Sequence, residues 1–340
     1  MAVNRNVHLV GSVPLPSSAA VFDIVGDKIG ALAKRVPDGE TGARSGWIGW
    51  QNDVLARSTG IAPGSTRVFQ GMDIQLYRIV GTPKNVELLP LGYAEMALAS
   101  YRDFAKARDA GKIAKHARFQ VSLPTPFAVA FFYFEDEFVE PAWRLYEASM
   151  LDELAQIVAG IPNRELAIQW DIAVEITMAL EAPDVAAKFP MDELVEAIAR
   201  VSAKIPAEIE LGMHLCYGDP DGTHVVEPKD TGLMVDLSNR LIAAIDRPIM
   251  WLHMPVPIGR DDAAYFQPLQ GLHRPDGCDL FLGLVHLSDG AAGARRRLAA
   301  AKAVLEDEFG VATECGLGRR PPDVIPDLLA LHTTVAQIEV

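Results

Sequence analysis

The sequence repeats one pattern along most of its length: a short apolar run followed by a stretch with helical spacing of apolar residues. The apolar runs predict strands at residues 7–13, near 35–36, and at 119–123, 166–170, 209–213, 248–252, 280–285 and 311–313. Helical patterns cover residues 18–34, 127–134, 142–159, 191–203, 231–245, 291–309 and 324–335. Strands that alternate with helices in this way predict parallel βα units.

The count of eight strands in 340 residues favours an α/β fold of the (β/α)8 TIM-barrel type, formed by a single domain over residues 1–340. Residues 60–91 fit no βα unit, so we predict that they form an insertion after the second strand. A doubly wound open sheet is the alternative architecture.

Polar residues stand where the predicted strands end. They are Asp171, His214, Cys216, His253, His286 and Cys315. In a barrel the C-terminal strand ends form one ring, which holds the active site. Residues about 100 positions apart in sequence can then meet in space.

The pair His214-x-Cys216 places an imidazole and a thiol two positions apart, so on an extended segment both point the same way. With Cys315 they make one nitrogen and two sulfurs, a donor set typical of a zinc site with room for one more ligand. The alternative is that both cysteines are small core residues. Cys278, before the seventh predicted strand, is interpreted as structural or incidental.

His286 ends an apolar strand and is either a hydrogen-bonded structural residue or a general acid or base, since histidine titrates near neutral pH. His253 has the same two interpretations, and a fourth zinc ligand is a third. The remaining histidines are interpreted as surface or packing residues: His8, His116, His224, His273 and His332.

The loop over residues 37–44 carries both charges and three turn-forming residues, Pro37, Gly39 and Gly42. It is either an ordinary solvated loop or a site for a zwitterionic substrate, whose ammonium group would meet the carboxylates. Trp47 and Trp50 follow and either wall a pocket or pack.

The formal net charge is −14, which argues against a general nucleic-acid or anionic-membrane surface. The chain has no apolar run near the roughly 20 residues that span a bilayer, and its N-terminus lacks signal-peptide features. Three cysteines in a chain this long do not make a disulfide framework. We therefore expect a soluble cytoplasmic protein with reduced thiols, no nucleic-acid or membrane partner, and an oligomeric state that includes a homodimer among the options.

Taken together, these residues resemble the C-terminal catalytic domain of cobalamin-independent methionine synthase, in the superfamily that includes uroporphyrinogen decarboxylase. The landmarks occur in matching order over nearly the whole chain. They are Val10-Gly11-Ser12-Val13-Pro14, Asp38-Gly39-Glu40, Ile168-Gln169-Trp170-Asp171, His214-Leu215-Cys216-Tyr217, His286 and Cys315-Gly316-Leu317.

The resemblance implies a zinc-dependent methyl- or alkyltransferase that acts on homocysteine or another small thiol. It implies that His214, Cys216 and Cys315 hold Zn²⁺, which would keep the substrate sulfur deprotonated. His286 would protonate the leaving group. The thiol substrate would be held by Ser12, Glu40 and Asp171.

The chain also departs from the family pattern. His253 stands near the place of a zinc-binding glutamate, Ile172 follows Asp171 where the family has Asp-Glu-Pro, and the aromatic residue that packs a folate pterin is not where the family has it. The methyl donor therefore stays open between a folate and a corrinoid, the latter on a corrinoid protein as partner. The alternatives are a related barrel enzyme with different C–S or C–C bond chemistry, and a non-catalytic barrel that binds a thiol or a metal.

Overall fold

A computed structural model of the chain describes residues 4–69, 71–181, 183–218 and 225–340. Nine strands are assigned in this part of the chain. They are β1 (Arg35–Pro37), β2 (Ile61–Phe69), β3 (Met72–Ile79), β4 (Arg118–Pro124), β5 (Leu166–Ile172), β6 (Glu210–Leu215), β7 (Trp251–Pro255), β8 (Asp279–Gly283) and β9 (Gly310–Val311).

Seven strands form one parallel sheet in the order β1-β4-β5-β6-β7-β8-β9. The order follows the chain without reversal. A doubly wound sheet reverses its strand order at a switch point, so the observed order contradicts that alternative. All residues of β5 and β7 are buried, as expected for parallel strands covered on both faces.

The sheet is curled, because the same residue meets both of its edges. Val7 forms parallel bridges to Ala33, just before β1, and to Val311 in β9. A third bridge joins Ser12 to Gly39. The sheet therefore bends into at least a half-barrel, consistent with a TIM-like α/β barrel.

The predicted first strand, residues 7–13, is present as isolated bridges and not as a regular strand. Side-chain amides hold two carbonyl groups of this segment. The Gln120 amide donates to the Leu9 and Val10 carbonyls at 3.1 and 2.8 Å, and the Gln169 amide donates to Val10 at 2.7 Å.

Twelve helices are assigned in the described ranges. They are α1 (Ser18–Lys28), α2 (Gln51–Arg57), α3 (Tyr93–Asp109), α4 (Pro126–Tyr133), α5 (Val139–Gly160), α6 (Val174–Glu181), α7 (Pro183–Ala186), α8 (Met191–Ser202), α9 (Gly232–Ala244), α10 (Ala263–Phe266), α11 (Gly290–Lys302) and α12 (Ile325–Ala336). Contacts of α1 with both α3 and α12 connect the first and last helices. Among these elements no helix has the length and apolar character needed to cross a membrane.

Several helix predictions need correction. The predicted helix 18–34 ends at Lys28, because Gly30 adopts a φ of 57° and a short 3-10 turn follows. The predicted helix 291–309 ends at Lys302. The helices α2 and α3 lie where the sequence analysis predicted none.

The segment predicted as an insertion, residues 60–91, contains the antiparallel pair β2 and β3. These two strands form a sheet of their own, separate from the seven-stranded sheet. That this ribbon is an insertion into a barrel stays a prediction.

Candidate metal centre

The candidate site lies at the C-terminal ends of neighbouring strands. The strand register pairs Asp171 of β5 with His214 of β6, and His214 with His253 of β7. Residues paired in a parallel register point to the same face of the sheet. Cys216 directly follows β6, and Cys315 lies in the segment after β9. The fold thus gathers residues from four strand ends in one place.

His214, Cys216 and Cys315 come together as the sequence predicts. One ligand atom from each residue lies within 4.8 Å of the others. The Cys315 Sγ is 3.7 Å from the Cys216 Sγ and 3.7 Å from the His214 Nε2. His214 and Cys216 are buried, and Cys315 is partly exposed. Within the described ranges, this is the one group of three or more His, Cys, Asp or Glu side chains close enough together to hold a metal ion.

His253 contacts His214 of this group on the ring nitrogen that faces away from the Cys315 sulfur, and His253 is not a member of the group. Its Nδ1 lies 2.7 Å from the His214 Nδ1, and its Nε2 lies 2.9 Å from the Thr313 carbonyl oxygen. Burial lowers the pKa of His253 to about 4 and also lowers the pKa of His214 well below its usual range. Both imidazoles are therefore neutral at neutral pH.

Asp171 lies beside the metal-capable group, and Glu40 lies near Asp171. Burial raises the pKa of Asp171 well above its usual range, and the nearby Cys315 thiol adds to the shift. A hydrogen bond of 2.8 Å from the Gln169 amide opposes this shift. Burial also raises the pKa of Glu40, and the charge of Asp171 raises it further. The two groups therefore favour holding protons that exposed carboxylates would release.

Glu40 is held in an uncommon conformation, with a φ of 46°. Its backbone N–H donates to the Asp38 Oδ1 at 2.8 Å, and the Arg44 guanidinium donates to the Asp38 Oδ2 at 2.8 Å. The charges of the loop 37–44 are thus partly used to hold the loop itself. Trp50 packs edge-on against Tyr93, with ring centroids 4.9 Å apart, which supports packing as its role.

Ser12 lies against the loop that carries Cys315. Its Oγ accepts a hydrogen bond of 3.1 Å from the Gly318 N–H, and its carbonyl accepts one of 2.6 Å from the Leu317 N–H. A Cβ atom on Gly316 would lie 2.4 Å from the Ser12 Oγ. The contacts of Ser12 therefore position the Cys315 loop, and glycine at residue 316 permits the close approach.

His286 is buried, and each of its ring nitrogens faces a protein acceptor. Its Nε2 lies 2.8 Å from the Val256 carbonyl oxygen, and its Nδ1 lies 2.9 Å from the Glu314 Oε2. The other Glu314 oxygen accepts from Arg320 at 2.8 Å. A carbonyl oxygen only accepts, so the Nε2 donates to Val256, and the Nδ1 faces the Glu314 carboxyl group.

The sequence analysis missed three residues of this region. Glu314 stands between the last strand and Cys315. A polar residue at that strand end could have been recognised from the sequence as a candidate site residue. Gln169 donates to Asp171 and accepts from His8 and Trp251 through its Oε1, at 2.9 and 3.2 Å. Glu175, four residues after Asp171, is a buried carboxyl that accepts from the Thr125 hydroxyl.

The other predicted residues fall outside the site. Cys278 is buried, and its Sγ lies 3.8 Å from the Asp279 carbonyl oxygen, in line with a structural role. His8 and His332 are buried, whereas His116 and His273 are exposed. His224 lies outside the described residues.

No protein-family model and no curated protein matches the chain. Two solved structures are similar in fold. A Listeria monocytogenes protein assigned as a vitamin-B12-independent methionine synthase superposes with a TM-score of 0.58 at 13% identity, over 99% of this chain and 98% of that one. A methyltransferase from Methanosarcina mazei superposes with a TM-score of 0.56 at 11% identity, over 98% and 93% of the two chains. At such identities these similarities establish the fold.

Proposed function

We propose that this chain is a zinc-dependent enzyme that transfers a methyl or other alkyl group to the sulfur of a small thiol. The observation that carries the proposal is the convergence of His214, Cys216 and Cys315 within 4.8 Å at the C-terminal ends of the strands. The fold similarity to a methionine synthase and to a methyltransferase supports it. We also propose that the sheet belongs to a closed (β/α)8 barrel with the β2–β3 ribbon as an insertion.

The geometry of the three residues fits zinc. Zn–S bonds of about 2.3 Å and Zn–N bonds of about 2.05 Å in a tetrahedron put two sulfurs about 3.8 Å apart, and a sulfur and a nitrogen about 3.6 Å apart. The corresponding distances from the Cys315 Sγ are 3.7 and 3.7 Å. Two thiols and one imidazole also match zinc in donor type. The three ligand atoms all lie within 4.8 Å of one another, so His214, Cys216 and Cys315 could hold the ion.

Zinc bound there would supply a Lewis acid that stabilises the deprotonated sulfur of the thiol substrate. In the overall reaction a carbon–donor bond breaks, a carbon–sulfur bond forms, and the thiol proton ends on the donor. Asp171 and Glu40 would bind the polar groups of the thiol substrate. Because burial raises their pKa values, an ammonium group bound beside them would favour their ionised forms.

We propose the His286–Glu314 pair as the source of the proton for the leaving group. In this role the pair would share a proton between the Nδ1 and the carboxyl oxygen, which lie 2.9 Å apart, and Glu314 is adjacent to Cys315 in the sequence. To release that proton toward the site, His286 would have to turn from Glu314 while Val256 still accepts from its Nε2. The donor, a corrinoid protein as partner, a homodimer and a cytoplasmic location stay predictions.

The first test is metal content. Protein purified without chelator should hold one zinc ion per chain, and Cys216→Ser and Cys315→Ser should each lose most of it, because each removes one of three ligands. Cys278→Ser is the matched control, since this buried thiol lies outside the group. Full zinc in either ligand variant would contradict the proposed site.

The second test is turnover. Zinc-loaded protein should form an S-methyl product from homocysteine with methylcobalamin or a methylfolate. Product in the wild type and not in Cys315→Ser would support the transferase. Stoichiometric zinc with tight thiol binding and no product from any donor would favour the non-catalytic barrel.

A further inference from the structure

Three contacts in series connect the backbone to the candidate metal group. The Thr313 carbonyl oxygen lies 2.9 Å from the His253 Nε2, and the His253 Nδ1 lies 2.7 Å from the His214 Nδ1. The His214 Nε2 then lies 3.7 Å from the Cys315 Sγ. Thr313 itself is two residues before Cys315, so the series returns to the loop from which it starts.

The direction of each hydrogen bond follows from its first member. A carbonyl oxygen only accepts, so the His253 Nε2 carries a hydrogen. A neutral imidazole has one N–H, so the His253 Nδ1 then accepts. The His214 Nδ1 must therefore donate, which leaves the lone pair on the His214 Nε2 facing the sulfurs. This is the tautomer that can ligate a metal through Nε2.

The opposite direction would require a charged ring. If the His253 Nδ1 donated as well, His253 would be an imidazolium with no exposed surface, between a carbonyl group and another imidazole. Burying a charge in this way is costly. The His214 Nε2 would then carry the hydrogen and could not ligate a metal.

From this geometry we infer that His253 is a positioning residue, which fixes the ring and tautomer of His214, and not a fourth zinc ligand. The inference rests on the proposed metal site. Both nitrogens of His253 are engaged, so turning the ring toward the sulfurs would break two hydrogen bonds. The site would keep one imidazole and two sulfurs from the protein, with its remaining position left for the substrate.

The first test needs no metal. Long-range ¹H–¹⁵N spectra of metal-free protein labelled with [¹⁵N]histidine report which nitrogen of each ring carries hydrogen. We expect hydrogen on the Nδ1 of His214 and on the Nε2 of His253, with signals assigned by their loss in His214→Ala and His253→Phe. Hydrogen on the His214 Nε2 in the wild type would overturn the inference.

The second test is zinc affinity, measured by competition with a chromophoric chelator. His253→Phe keeps the ring volume and removes both hydrogen bonds, so we expect zinc binding about 10- to 100-fold weaker, as for loss of an outer-shell partner. His253→Asn keeps an acceptor for the His214 N–H and should bind more tightly than His253→Phe. His332→Phe, another buried histidine with a backbone carbonyl partner, is the control and should bind zinc normally.

X-ray absorption of the zinc-loaded wild type distinguishes the two roles of His253. One imidazole in the coordination shell supports the inference, and two imidazoles overturn it. Wild-type affinity in His253→Phe would also overturn it. If the wild type bound no zinc, the proposed function would fail, and the tautomer measurement alone would judge the role of His253.

Discussion

The two ends of the same parallel strands are built from opposite kinds of polar contact. At the N-terminal end, Arg35 of β1 is 3% exposed and pairs with Glu210 at 2.5 Å and with Asp279 at 3.3 Å. Lys34 adds a second partner to Asp279 at 2.9 Å, and Arg118 adds one to Glu210 at 3.0 Å. Every one of these charges has a partner of opposite sign.

At the C-terminal end, acids and bases are buried in forms that disfavour their charge. Burial raises the pKa of Asp171, Glu40 and Glu175, and lowers the pKa of His214 and His253. Such an arrangement costs stability and is typical of sites that bind or react. The difference indicates that one end of the sheet stabilises the fold, whereas the other carries the candidate site.

The largest effect is expected from Arg35→Met. Removing the guanidinium leaves two carboxylates short of a partner and removes its contact with the Trp251 ring, whose centroid lies 4.2 Å away. Breaking a buried ion pair typically costs 3–5 kcal/mol, so we expect the free energy of unfolding to fall by about 4 kcal/mol. Urea denaturation at neutral pH measures the change.

Arg240→Met is the control for this variant, because its ion pair with Asp192 is exposed, at 42% and 78% of the two side chains. Exposed pairs contribute less than about 1 kcal/mol. Zinc affinity should be unchanged in Arg35→Met. If Arg35→Met lowered the free energy of unfolding no more than Arg240→Met does, or if it weakened zinc binding, the proposed division between a stabilising end and a binding end of the sheet would be wrong.

The next effect concerns Glu175 at the opposite end. This carboxyl is 1% exposed, and its Oε2 has no hydrogen-bond partner in the described part of the chain. Burial raises the pKa of Glu175 to about 7, whereas in the unfolded chain a glutamate titrates at about 4.3. A raised folded-state pKa means that the associated stability is complete below about pH 4 and is lost as the pH rises through about 7.

Glu175→Gln keeps an acceptor for Thr125 and removes this titration. Relative to the wild type, the variant should therefore gain about 3 kcal/mol of stability between pH 4 and pH 8, since one pKa unit corresponds to about 1.4 kcal/mol. Urea denaturation of both proteins at several pH values in this range measures the gap. If the free energies of unfolding of the two proteins kept a constant difference across this pH range, the ionisation of Glu175 would not destabilise the fold.

The strand pattern in the sequence was enough to predict the arrangement of the site at a coarse level. Apolar runs followed by polar residues located β4 to β9, and they predicted that His214, Cys216 and Cys315 would meet although up to 101 positions separate them. This worked because strand ends in a parallel sheet lie at one edge whatever the intervening helices do.

Contacts that depend on register and loop path could not be predicted in the same way. The pairing of His214 with His253 depends on the stagger between β6 and β7, and a shift of one residue would turn one ring away. The contact of His286 with Glu314 depends on the path of a loop. The strands β2 and β3 pair only with each other. The alternation of strands and helices therefore does not predict them.

The last variant, Asp171→Asn, links stability and substrate binding at the C-terminal end most directly. Burial raises the pKa of Asp171, so by the same sign rule its ionisation costs stability as the pH rises. Asparagine keeps an acceptor for the Gln169 amide, now 2.8 Å from the Asp171 Oδ1. We expect the variant to be more stable than the wild type at pH 8, with the gap closing in acid.

The same variant should bind the thiol substrate more weakly, because a hydrogen bond to a charged group contributes about 1.5–3 kcal/mol, or at least about 10-fold in affinity. Calorimetric titration of zinc-loaded protein with homocysteine measures this loss beside the gain in stability. Arg35→Met should show the reverse, a large loss of stability with unchanged thiol affinity. If Asp171→Asn were less stable than the wild type both at pH 8 and in acid, Asp171 would have a structural role like that of the ion pairs at the N-terminal end. The substrate would then have to be bound through Glu40 alone.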